Sequence, residues 1–173
     1  MTNQLKEKLL QQLPRSSNAK VVFVGIGSEL RGDDAVGVVI INRLAELAKS
    51  ANSASFLFIN GGNAPENVLG EIRTFHPGLI VFIDAAILGG VPGTVKIFDT
   101  SKEKISGISF CTHALPLPII AGYIQKAVPC EIFVIGIEPD DMSFSPDCVL
   151  TPSVAQAAEE VVQAIAAYAG LLQ

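Results

Sequence analysis

The chain has 173 residues, of which 49% are hydrophobic, and its formal net charge is −5. This length and hydrophobicity are typical of one densely packed domain, and the acidic balance without a cluster of Lys or Arg excludes nucleic acid and anionic membrane surfaces as expected partners. No secretory signal or apolar run long enough to span a bilayer is visible, so we expect a cytoplasmic protein.

Apolar runs and helical periodicity alternate along the chain. We place an N-terminal extension at residues 1–19, with a short amphipathic helix at 2–13, and a single α/β domain at 20–173. Within that domain we predict five strands, at 20–25, 55–60, 79–84, 93–99 and 131–137. Helices are predicted at 33–49, after the turn-rich bend at 61–67 up to 75, after 118 up to 126, and from 151 onwards.

Two features of these strands predict the sheet. The strand at 79–84 is continuously apolar until Asp84, which is typical of a parallel strand covered on both faces. The strand at 93–99 follows too soon for a parallel crossover, which needs roughly a dozen residues, and should therefore be antiparallel. The predicted fold is a three-layer, doubly wound, mostly parallel five-stranded α/β sheet with one antiparallel strand and helices on both faces.

The turn between the first strand and the first helix contains Gly25, Gly27 and Gly32. Their spacing differs from the GxGxxG fingerprint of dinucleotide-binding folds. The helix entrance also carries Asp33 and Asp34, two carboxylates that would repel a phosphate and attract a cation. The turn therefore favours a cation site over a nucleotide site.

Polar side chains are predicted at the carboxyl ends of the parallel strands, where open α/β sheets bind their ligands. Asp33 and Asp34 follow the first strand, Asp84 ends the third, and His113 precedes the helix before the last strand. Carboxylates and an imidazole suit nickel, zinc, manganese or iron, without selecting among them. Each residue also has an ordinary structural explanation, such as helix capping. The metal hypothesis therefore requires that these side chains lie close together in the folded protein.

Other catalytic patterns have less support. The chain contains no GxSxG, HExxH or P-loop motif. His76 stands at a predicted helix end, where contact with the helix dipole explains it. Cys111, Cys130 and Cys148 form no CxxC pair and are interpreted as buried free thiols.

The sequence VGIGSELRGDDAVG at 24–37 resembles the opening motif GxGNxLxGDDGxG of the hydrogenase maturation proteases. NGGNAPEN at 60–67, IDA at 83–85 and THALPL at 112–117 resemble the second, third and fourth motifs of that family, in the same order. Within the family, the PEN sequence at 65–67 and the TH…PL pattern at 112–117 are similar to those of the branch that acts on formate-hydrogenlyase-type hydrogenases. The family consists of endopeptidases that remove a C-terminal peptide from the large subunit of nickel-iron hydrogenases.

The resemblance implies that Asp34, Asp84 and His113 contact a nickel ion already seated in the large-subunit precursor. Nickel would then arrive with the substrate, although a surrogate divalent ion is compatible with these ligands. The site would be open and face the solvent. Cleavage would use either a carbonyl and water activated by the metal, or a carboxylate that acts as base on water. We expect a monomer whose partner is the precursor.

Asn60 is a departure from the family motif, which normally has Asp at this position. An amide cannot act as a general base, so Asn60 is a doubtful catalytic residue. If the usual acid is catalytic, cleavage would be slow, or another acid such as Asp33 or Glu66 would act in its place. Alternatively, the protein binds the precursor as a chaperone or checkpoint without cutting it. A third hypothesis, a Rossmann-like nucleotide-binding enzyme, rests on Gly25 and Gly27 alone.

Overall fold

The computed structural model describes residues 20–51, 54–102, 109–110 and 116–172, together with the single positions 7, 11 and 13. The predicted helix at 2–13 lies almost entirely outside these residues, as do His113 and Cys111. None of the helices in the described part of the chain combines the length and hydrophobicity that a membrane span requires.

One sheet organises the described residues. Its strands are β1 Val21–Ile26, β2 Phe56–Gly62, β3 Leu79–Ile87, β4 Val95–Asp99, β5 Ser109–Phe110 and β6 Glu131–Ile137. The order across the sheet is β2-β1-β3-β6-β4, and the two-residue β5 pairs with the end of β3. β2, β1, β3 and β6 are mutually parallel, whereas β4 runs antiparallel to β6. The predicted fold class is confirmed, with β5 as an additional short pairing.

Helices cover both faces of the sheet. They are α1 Val36–Lys49, α2 Leu69–Phe75, α3 Leu117–Ala127 and α4 Pro152–Tyr168, with 3₁₀ turns at Gly32–Ala35 and Pro65–Val68. Alternate residues of β1 explain this arrangement, because successive strand side chains point to opposite faces. Val21 and Phe23 pack in the layer of α1 and α4, whereas Val22 and Val24 pack in the layer of α2 and α3.

Three local predictions are wrong. β3 continues past Asp84 to Ile87, because β6 still pairs with Ala85 and β5 pairs with the last two residues of β3. The first α-helix begins at Val36, after a 3₁₀ turn that contains both aspartates. Cys130 and Cys148 are free thiols, but they are only partly buried. That burial still raises the pKa of Cys130 to about 11.

Candidate functional site: two buried carboxylates at the carboxyl edge of the sheet

Asp84 lies near the carboxyl end of β3, the central strand of the sheet. It continues the row of Ile80 and Phe82, whose side chains pack under α2 and α3, so strand alternation directs Asp84 to the same face. Gly136 of β6 is its neighbour across the ladder. The Asp84 side chain is completely buried, which corrects the expectation of a solvent-facing site.

The close approach of α1 to the sheet brings Asp34 to this position. A Cβ atom on Gly37, in the first turn of α1, would overlap the carbonyl oxygens of Ile83 and Ile26, and one on Gly25 would overlap the carbonyl oxygen of Gly37. Only glycine fits at this crossing. Because Ile83 immediately precedes Asp84, the crossing holds the turn before α1 against the end of β3.

Asp34 lies in that turn and is also completely buried. Its Oδ2 accepts a hydrogen bond from the amide of Ser28 at 3.3 Å, so the loop after β1 helps to orient the carboxylate. The negative charge of Asp34 acts directly on Asp84. Two of the residues predicted from the sequence therefore meet at one edge of the sheet.

The environment of Asp84 opposes a negative charge. Burial, and secondarily the charge of Asp34, raise the pKa of Asp84 well above its ordinary value, while the nearby amide of Ala85 acts in the opposite direction. Neither carboxylate oxygen of Asp84 has a hydrogen-bond partner among the described residues. A buried carboxyl group in this situation is stable with a proton or beside a cation.

Asp33 has the same burial but a different role. Its carboxylate accepts hydrogen bonds from the amides of Asp140 and Asp141 at 2.9 and 3.0 Å, and from the amide and hydroxyl of Thr151 at 2.7 and 2.8 Å. Because both oxygens are engaged by the loop after β6, Asp33 is not available to replace an absent catalytic acid.

Asn60 lies on the other face of the sheet. It continues the row of Phe56 and Phe58, which pack in the layer of α1 and α4, and its amide donates to Asn42 on α1 at 3.2 Å. Its Oδ1 accepts from the amide of Gly62 at 2.9 Å. Strand alternation therefore separates Asn60 from Asp84, and the two hydrogen bonds of Asn60 shape the turn at the end of β2.

Glu66 and His113 complete the set of sequence candidates. Glu66 lies in the 3₁₀ turn after β2, partly buried, and its Oε2 has no hydrogen-bond partner among the described residues. His113 is outside those residues, but the helix that follows it, α3, buries Leu117 on the face to which Asp84 points. No group of three His, Cys, Asp or Glu residues suited to a metal ion occurs in the described ranges.

Glu138 is a buried acid that the sequence predictions missed. It follows the last residue of β6, and its Oε2 accepts hydrogen bonds from the amides of Leu88 and Gly90 at 2.6 and 3.2 Å. These bonds hold the loop after β3 beside the carboxyl end of β6. The available signal was its position, an acidic residue directly after an apolar strand at the predicted ligand-binding edge.

A cavity of about 420 Å³ lies at the opposite edge of the sheet, and Arg73, His76 and Val128 are among its lining residues. His76 ends α2 in a left-handed conformation, and its Nδ1 lies 3.0 Å from the carbonyl oxygen of Thr74. The predicted position of His76 at a helix end is confirmed. This cavity is separate from the carboxylate pair.

The structure thus defines an open, doubly wound α/β protein with paired buried carboxylates at the carboxyl edge of its parallel strands. Comparison with known proteins identifies the class more closely: residues 38–168 match the family model HycI, hydrogenase maturation protease. The chain belongs to the hydrogenase maturation protease family. The resemblance inferred from the four motifs and the predicted enzyme class, a peptidase, are confirmed, and the nucleotide-binding hypothesis loses its basis.

Individual relatives agree with this assignment. A crystal structure of the [NiFe] hydrogenase maturation protease HycI from Thermococcus kodakarensis KOD1 is 34% identical, has a TM-score of 0.76, and covers 98% of each chain. A Methanocaldococcus jannaschii protein, provisionally named a hydrogenase maturation protease, is 36% identical to this chain over 146 residues. That alignment covers 82% of this chain and 84% of the relative. The Escherichia coli K12 hydrogenase 3 maturation protease is 29% identical over 149 residues, 86% of this chain and 90% of the relative.

Proposed function

We propose that this protein is the endopeptidase that removes the C-terminal peptide from the large-subunit precursor of a nickel-iron hydrogenase, after nickel has been inserted. Asp34, Asp84 and His113 contact the nickel ion that the precursor carries. The ion is part of the substrate, so the protein needs no resident metal. Cleavage thereby depends on the completion of metal insertion.

One observation supports this proposal above the others: the carboxyl group of Asp84 is buried without a hydrogen-bond partner among the described residues and lies within electrostatic reach of Asp34. Such an arrangement is unfavourable in isolation, because two acidic groups are removed from water and repel each other. A cation removes both penalties at once. A partner that brings a divalent cation to this edge therefore gains affinity that a metal-free partner does not.

The donor set also suits an ion that is already coordinated by another molecule. Two carboxylates and one imidazole leave coordination positions open, which thiolates of the precursor can occupy. The sequence places His113 before α3, and α3 packs on the face of Asp84. This placement supports the inclusion of His113 in the set.

The chemical step is the hydrolysis of one peptide bond. Water adds to the scissile carbonyl carbon, the carbon–nitrogen bond breaks, and the amine of the released peptide accepts a proton. Two routes are compatible with the residues present: a carboxylate of the pair accepts the proton of the attacking water, or the substrate-borne ion polarises the carbonyl and activates the water. In either route Asn60 shapes the end of β2 and transfers no proton.

The test is incubation of the purified protein with nickel-loaded and nickel-free large-subunit precursor from the same source, followed by mass spectrometry of the large subunit. The nickel-loaded precursor is expected to lose its C-terminal peptide, and the nickel-free precursor to remain intact. Asp84→Asn should reduce the rate by about a thousandfold, because an amide is a poor metal ligand and cannot accept the proton of water.

Asp99→Asn is the matched control. Asp99 ends β4, which antiparallel pairing with β6 places at the opposite edge of the sheet, and its side chain contacts Ser101 and Lys102. This variant should cleave at the wild-type rate. Equal cleavage of nickel-free precursor would contradict the role of nickel, and a tightly bound but unshortened large subunit would instead favour the non-cleaving checkpoint.

A further inference from the structure

Asp33 connects two segments that are far apart in the sequence. Its carboxylate accepts four hydrogen bonds from Asp140, Asp141 and Thr151, and its own amide donates to the carbonyl oxygen of Asp141 at 2.8 Å. Every one of these bonds joins the turn before α1 to the loop between β6 and α4. We call this set of bonds the Asp33 clamp.

The segments joined by the clamp fit closely. Gly32 has a left-handed φ of 47°, and a Cβ atom there would lie 2.5 Å from the carbonyl oxygen of Asp141. The amide of Ser145 donates to the carbonyl oxygen of Leu30 at 2.9 Å, which adds a second connection on the other side of the turn. The loop after β6 is therefore bound to the turn along several residues.

The turn that contains Asp34 needs external support. It is a four-residue 3₁₀ helix without a side-chain cap, and such short segments have little stability of their own. Its three-residue repeat directs the side chains of Asp33 and Asp34 about 120° apart, so one can bind the loop while the other faces Asp84. The Asp33 clamp supplies this support, because it fastens the neighbouring residue of the turn to the loop after β6.

We propose that Asp33 is a positioning residue, which holds Asp34 at the site by fastening the turn before α1 to the loop after β6. The hydroxyl of Thr151 is part of the device, since it donates one of the four hydrogen bonds. This inference rests on the proposed function only for its kinetic consequence. Its structural consequence is independent of catalysis.

The amide of Ser28 provides a structural readout, because it donates to Asp34 and is not part of the clamp. Its NMR chemical shift and hydrogen-exchange protection are measured in Thr151→Val, which removes the hydroxyl, and in Thr151→Ser, which retains it. We expect both to change in Thr151→Val and to stay at wild-type values in Thr151→Ser. Thr100→Val is the matched control, since it removes a hydroxyl bonded to Ile132 at the opposite edge.

The kinetic arm uses the same variants at a temperature where each is fully folded. Thr151→Val should lower kcat for precursor cleavage about tenfold with KM nearly unchanged, Asp33→Asn about a hundredfold, and Thr151→Ser should restore the wild-type rate. Changes confined to the amides of Asp140, Asp141 and Thr151, with Ser28 and kcat unaltered, would overturn the inference and leave the clamp a purely structural feature. If wild-type protein cleaves no precursor, the proposed function fails, and the Ser28 amide still decides the role of Asp33.

Discussion

Two completely buried aspartates at the same edge of the sheet have opposite surroundings. Asp33, in the turn before α1, accepts four hydrogen bonds from the loop after β6. Asp84, in β3, accepts none within the described residues, and it lies beside the charge of Asp34. Burial alone therefore does not determine whether an acid at this edge is favourably placed; the hydrogen-bond donors around its carboxylate do.

The difference has a physical basis. Fixed amide and hydroxyl donors replace the water that Asp33 loses on folding, so its charge contributes to the cohesion of two loops. Within the described ranges no donor replaces the water lost by Asp84, so its burial costs free energy until a proton or cation is present. Groups kept in such an unfavourable state occur preferentially at functional sites.

Removal of each carboxylate, with stability measured by urea denaturation, tests the contrast between Asp33 and Asp84 most directly. Asp33→Ala should lower the free energy of unfolding by about 3–4 kcal/mol, because it leaves several buried donors without an acceptor. Asp84→Asn should leave stability unchanged or higher, since it removes an acid whose buried charge is unfavourable. Equal losses in the two variants would refute the distinction.

A pH series tests whether the pKa of Asp84 is raised in the folded protein. Its pKa is raised in the folded protein, so above the ordinary value of 3.8 the folded state retains a proton that the unfolded state has released. The protonated Asp84 side chain therefore makes its full contribution to the free energy of unfolding below that pH. As the pH rises towards the folded pKa, that contribution falls by up to about 1.4 kcal/mol per pH unit.

The measurement compares the free energy of unfolding of wild type and Asp84→Asn from about pH 4 to about pH 8. Taking the difference cancels the titration of the acids that do not interact with Asp84. We expect wild type to lose stability relative to the variant as pH increases. A difference that is constant over this range would show that Asp84 titrates normally.

The smallest effect on stability is expected at Glu138, another buried acid whose carboxylate accepts hydrogen bonds. Glu138→Gln retains an oxygen that can accept from Leu88 and Gly90, so the loss of stability should be about 1 kcal/mol, from the weaker acceptor. The exchange rates of those two amides should rise only slightly. A loss as large as that of Asp33→Ala would mean that charge, rather than the hydrogen bonds themselves, holds these loops.

Local sequence patterns predicted most of the α/β architecture. The continuous apolar run before Asp84 and the short connection before β4 predicted parallel and antiparallel strands, because strand burial and crossover length are local properties of the chain. The end of β3 was missed, because it depends on pairing with β5 and β6. The order of strands across the sheet likewise became known only from the structure.

For the site, local residue patterns predicted which side chains follow the strands and which family motifs they form. Only the resemblance selected Asp34 over Asp33; residue patterns could not, because the partners of Asp33 lie 107 to 118 residues away, in a loop whose path no local pattern reports. Nor did residue patterns separate Asn60 from Asp84, since the face that each occupies depends on strand register and pairing. Those distinctions arise only when the tertiary structure brings distant donors to one carboxylate and, among the residues it describes, none to the other.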